Sequence, residues 1–168
     1  VLGVDLACVD LAGVDPAGTE PAARSRTPVR GGAYVDPRLP RVTLLGRGIA
    51  SGAPHRAGWR ALCRIVSEAH AEALARDDRG RPVTSRERVE HWGREADALV
   101  VLLGPDSDVG RAVLHRRDRE AEDRLARWRR SLLGAVVVEV VCHDGPPGTP
   151  GSREHARRML ALADATGT

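Results

Sequence analysis

Two patterns of apolar positions alternate along this chain. Short solid runs occur at Arg41–Gly46 (RVTLLG), Ala98–Leu103 (ALVVLL) and Ala135–Val141 (AVVVEVV). Runs this short, rich in β-branched residues and bounded by breakers, predict buried strands. Val1–Leu6 (VLGVDL) reads as a further short strand. Between the runs, apolar residues recur at helical spacing. A helix is predicted from about His55 to Arg76, with Trp59, Leu62, Cys63, Val66 and Ala73 on its inner face. Asp77–Gly80 ends it. Thr84-Ser85-Arg86-Glu87 matches a capping box and predicts a short helix to about Trp92, closed by Gly93.

After the second run, Gly104-Pro105 breaks the strand, and Asp106, Ser107 or Asp108 caps a short helix to about His115. Asp118–Leu132 is amphipathic, with Ala121, Leu125, Trp128 and Leu132 on one side. Ser152 caps a last helix through about Ala165, with Ala156, Met159, Leu160 and Ala163 facing inward. This order predicts an α/β fold with a mostly parallel sheet covered by helices on both faces. Strands are wanting at both ends of the pattern, so an interior piece of a larger domain is expected.

Residues 7–40 follow neither period. They open on an echo, VDLAC, VDLAG, VDPAG, whose repeat is too short for a solenoid, and continue rich in Gly, Pro, Ala and Arg. A low-complexity, disordered insertion is expected, with Gly32–Asp36 as an island near the next strand.

Composition changes this picture in few places. The 168 residues suit one domain or part of one, and with 2% aromatics the core must be built from Val, Leu and Ala. All 26 basic residues are Arg, and Lys, Asn, Gln and Phe are absent, as a G+C-rich coding sequence would produce. The net charge is +3, with both signs interleaved over Arg116–Arg130, which reads as a solvated helix face and not a nucleic-acid stripe. Cys8, Cys63 and Cys142 are too widely spaced for a disulfide framework or a paired-Cys zinc site, so a reduced, cytoplasmic setting is expected. No membrane span and no signal peptide are expected.

The candidate chemistry gathers after the Val-rich run, where His143 stands at a strand end before the breaker-rich DGPPGTPG. Strand ends are where α/β folds place reactive side chains. Glu139 shares a strand face with His143 and is expected to support it or, more simply, to pair with an Arg. Cys142 is expected on the opposite, core side. Asp106 and Asp108 could pair to hold Mg²⁺, but helix capping explains them more simply. His55, His70, His91, His115 and His155 form no ligand pair and are expected to be solvated. Gly104 and Gly110 lack the Lys-Ser/Thr of a phosphate loop.

Several segments together carry a family resemblance: PRVTLLGRG (Pro40–Gly48), AGWRALCRIVSEAH (Ala57–His70), RPVTS (Arg81–Ser85), ALVVLLGPDSDVGRAV (Ala98–Val113), LARWR (Leu125–Arg129), VVVEVVCH (Val136–His143) and ARRMLALADATG (Ala156–Gly167). The chain resembles the interior of the polymerase-and-histidinol-phosphatase (PHP) domain of bacterial C-family error-prone DNA polymerase III alpha subunits. The resemblance covers about Gly32–Thr168 and, loosely, Val1–Leu6. It implies a partial, distorted, TIM-like β/α barrel, with residues 1–6 as a barrel strand and 41–168 as the interior of the domain. It also implies a cluster of Zn, Mn or Mg ions that hydrolyses phosphoesters in some members, including as a 3′→5′ exonuclease, and is lost in others, where the domain is a scaffold. Two positions carry over as metal ligands: His143, and Asp5 where the family has a longer Glu. The family's His-x-His strand, Thr-Asp-His segment and palm carboxylates for the polymerase Mg ions have no counterpart here. DNA, deoxynucleotides and other replication or lesion-bypass proteins would therefore be met through the polymerase domains, and this chain alone is expected to be inactive.

Overall fold

The computed structural model describes residues 3–8, 38–47, 56–75, 82–94, 98–132 and 135–168. The expected island at Gly32–Asp36 and most of the expected insertion lie outside them. The element order is β1 (Gly3–Cys8), β2 (Arg41–Gly46), α1 (Ala57–Ala75), β3 (Val83–Thr84), α2 (Arg86–Gly93), β4 (Leu99–Leu103), α3 (Asp108–Leu114), α4 (Asp118–Ser131), β5 (Val136–Val138) and α5 (Arg153–Thr166). The first strand thus runs through Cys8, two residues past its expected end. β3 was not foreseen at all: two residues are too few to show a period.

The strands form one five-stranded sheet in the order β3-β1-β2-β4-β5. β1 pairs in parallel with β3, and β4 with β5. β2 runs against both of its neighbours. The sheet is therefore mixed, with the antiparallel strand in the middle. It does not close among the described residues, so the α/β class holds and no barrel is seen.

Register decides which residues share a face. Leu6 stands opposite Val42, Leu44 opposite Val101, and Val101 opposite Val136. These residues are buried and join Ile65, Val89, Val109, Val113, Leu125 and Trp128 of the helices in one core. The other face carries Asp5, Arg41, Thr43, Leu45, Val100, Leu102 and Val137, each exposed or half-buried. The expectation of helical cover on both faces is thus corrected. The solid apolar runs conceal an alternation, in which Val100 and Leu102 lie on the less covered side despite their hydrophobicity.

The helices form much as their caps dictate. Ser107 Oγ accepts from Gly110 N (3.0 Å) and donates to Gly104 O (2.7 Å), which closes the β4–α3 turn. Ser152 caps α5 through His155 N, and Gly167, in the left-handed region, ends it. Ser85, not Thr84, caps α2, because Thr84 is held in β3. In α4, Ala121, Leu125, Trp128 and Leu132 are buried as their spacing predicts.

Helix α1 is rotated from the expected facing, and α5 departs from it at one position. In α1 the buried residues are Gly58, Ala61, Leu62, Ile65, Ala69 and Ala73, while Trp59 is 48% exposed and Cys63 is exposed. The reason is Gly58. A Cβ there would fall on the backbone of Arg47 and Ala98, so the helix meets the sheet through its smallest side chain. In α5, Leu160 is exposed and Leu162 takes the inward place.

Candidate functional site

β4 and β5 end at the edge of the sheet where β2 begins, and an open cleft of about 480 Å³ lies there. Asp5, Arg41 and Thr43 line it from the half-covered sheet face, Gly104–Ser107 from the end of β4, and Glu139, Val141 and His143 from the segment after β5. The two residues singled out by the resemblance, Asp5 and His143, thus border one cleft from opposite ends of the chain.

Each wall has a local cause. β1 and β2 are antiparallel, with Asp5 opposite Thr43, which puts Asp5 diagonal to Arg41. The Arg41 guanidinium donates to Asp5 Oδ2 through Nε (2.8 Å), and its Nη2 lies 2.8 Å from the same oxygen. Arg41 N donates to Asp106 O (3.0 Å), tying the start of β2 to the β4–α3 turn. Arg111 braces that turn from below, donating to the carbonyls of Asp106, Arg38 and Leu39.

The third wall follows from the early end of β5. Regular pairing stops at Val138, after which Glu139 N still reaches Leu103 O (3.1 Å). The Glu139 carboxylate lies against Gly104, where any Cβ would come within 2.5 Å of its Oε2. A side chain at Gly104 would therefore displace the flexible end of Glu139 from this wall of the cleft. The arginine partner expected for Glu139 is not found among the described residues. Because alternation ceases with the strand, Cys142 is exposed instead of buried, with its Sγ 3.7 Å from Asp144 Oδ1. His143 N donates to Gly151 O (2.8 Å), and its ring packs beside Gly151.

A metal would need three or more donors arranged around one point. Asp5 is engaged by Arg41, and no such group of His, Cys, Asp and Glu side chains exists among the described residues. Asp106 and Glu139 border the cleft but complete no ligand set with His143. The described residues do not by themselves assemble the implied metal cluster.

Two polar residues are buried in roles other than the cap and the solvated side chain expected of them. Asp108 is buried at the start of α3 and accepts from Trp128 Nε1 (3.3 Å); burial holds its carboxyl above the ordinary range. His155, expected to be solvated, is 2% exposed, and burial pushes its imidazole pKa down. Its spacing with Met159 and Leu162 was a usable signal, masked by its polar neighbours. A larger depression of about 710 Å³ lies at the α5 N-terminus. Its charged groups are mostly satisfied within the protein, Arg153 by Asp144 and Arg158 by Asp118, so it presents less unspent chemistry than the sheet-end cleft.

No helix among the described residues is long and apolar enough to cross a membrane. No family model matches the chain, and no curated protein matches it.

Proposed function

We propose that this chain is the interior part of a PHP domain belonging to an error-prone DNA polymerase of the C family. In this reading, DNA and deoxynucleotide binding and Mg-dependent nucleotidyl transfer are carried by polymerase domains beyond this sequence. The observation that carries the proposal is the convergence of Asp5 and His143 on one cleft at the end of the sheet. The half-covered sheet face agrees with it, since Leu45, Val100, Leu102 and Val137 would line a barrel interior once further strands were present.

Within that reading the domain acts as a scaffold and not as a phosphoesterase. The Asp5–Arg41 pair favours this, because the guanidinium occupies the carboxylate that hydrolysis would need for a metal.

The test begins with the transcript. The proposal expects one reading frame running from a His-x-His strand, through this chain, into a palm with paired carboxylates. A frame without that palm overturns the polymerase assignment. Metal analysis of the purified full-length product decides the domain's role. Polymerase activity without metal retained by the PHP domain supports the scaffold. Stoichiometric metal that is lost in D5A and H143A overturns it in favour of the phosphoesterase or exonuclease.

A further inference from the structure

His155 sits at the start of α5, beneath the segment that carries His143. Both of its ring nitrogens are used. Nδ1 accepts from Gly151 N (3.3 Å), and Nε2 lies 2.9 Å from Gly110 O. An acceptor at Nδ1 requires the proton at Nε2, so the ring is neutral and donates to the α3 carbonyl. Gly151 is the link to the cleft. Its N–H is held by His155, and its carbonyl accepts from His143 N (2.8 Å). Its φ of +73° suits glycine, and a Cβ there would come within 3.2 Å of the His143 ring.

We propose that His155 is a pH-sensitive latch that fixes the 143–152 segment, and with it His143, against α3 while its imidazole is neutral. A proton on Nδ1 turns the acceptor into a donor facing the Gly151 N–H. The amide then loses its partner in a buried site, where an unsatisfied donor is costly, and the segment separates from α5.

The surroundings set the direction. Burial disfavours the imidazolium most, and Arg158 on the same helix opposes it too. The Gly110 carbonyl favours it, second only to burial in size, and Asp106 in the β4–α3 turn favours it least. Arg116 and Glu154, which share a small cavity with His155, pair with each other at 2.6 Å. The neutral ring therefore persists below the ordinary histidine pKa, and the latch opens only as pH falls through the lowered value. The device does not depend on what the cleft binds.

Amide hydrogen exchange on the full chain tests it, read as protection factors at Gly151 and His143 between pH 7.5 and 4.5, corrected for intrinsic exchange. Protection in the wild type is expected to fall roughly tenfold per pH unit once below the His155 pKa, as one proton requires. It should track the His155 ring resonances in a nitrogen-15 NMR titration. H155Q, which keeps an acceptor and a donor but cannot ionise in this range, should remove the dependence, and H143A should retain it. Constant wild-type protection overturns the latch, as does a fall that follows the His143 resonances or disappears in H143A. Should H155Q fail to fold, the wild-type titration and H143A decide alone.

Discussion

Arg41 and Asp5 face each other diagonally across the β1–β2 ladder, with the guanidinium Nε 2.8 Å from Asp5 Oδ2 and Nη2 3.1 Å from the Asp5 carbonyl. The pair is partly solvated, the Asp5 side chain being 50% exposed and that of Arg41 21%. Its net worth is therefore about 0.2–1 kcal/mol. A double-mutant cycle of R41A and D5A by urea unfolding should return a coupling of that size, smaller at 1 M salt.

Trp128 is fully buried and gives its indole N–H to Asp108. W128F keeps most of the apolar contact but removes that donor from a buried carboxyl, which should cost about 1–3 kcal/mol. The urea midpoint measures it.

Asp108 itself predicts a pH dependence. Its folded pKa is raised above the ordinary 3.8, chiefly by burial. The native state therefore holds the proton over a window that starts near that value and extends upward. The stability this contributes is present below the window and lost as pH rises through the raised pKa. D108N does not titrate, so the wild type should lose stability relative to D108N as pH climbs from 3.5 to 7. A flat difference across that range would mean that Asp108 is solvated.

Gly110 lies inside α3, where alanine would ordinarily gain about 1 kcal/mol of helix propensity. Here a Cβ would fall on the carbonyl oxygens of Gly104 and Pro105. Backbone cannot yield as a side-chain tip does, so G110A should lose about 1–3 kcal/mol. The sign of the change in thermal midpoint is the test.

Ser152 is buried, and its Oγ accepts from His155 N. S152A should cost about 1 kcal/mol by unfolding, and S152D should recover much of it, since either oxygen caps the helix.

Much of this architecture is readable from local windows. The strand runs at Arg41–Gly46 and Ala98–Leu103, the caps at Ser107 and Ser152, and the inner face of α4 follow from periods and capping chemistry that span a few residues. The Val-rich run was legible as a strand, but β5 ends at Val138, so His143 lies five residues beyond the strand and not at its tip. The site is only half legible in this way. Asp5 and His143 were named, but Arg41, which engages Asp5, and Gly151, which holds His143, carry no local mark of those roles.

The sequence by itself determined where the helices and all strands but β3 lie, what caps α3 and α5, and which residues are apolar enough to form a core. Tertiary structure decided which stripe of α1 faces inward, because the contact is set by how closely Gly58 approaches Arg47 and Ala98. It decided that β2 runs against its neighbours and that one sheet face stays half-covered. It also turned His155 from a polar helix residue into a buried bridge between Gly151 and Gly110. The physical reason is common to all four. Periodicity reports how a residue relates to those within a turn or two, whereas burial and pairing depend on partners that only folding brings within reach.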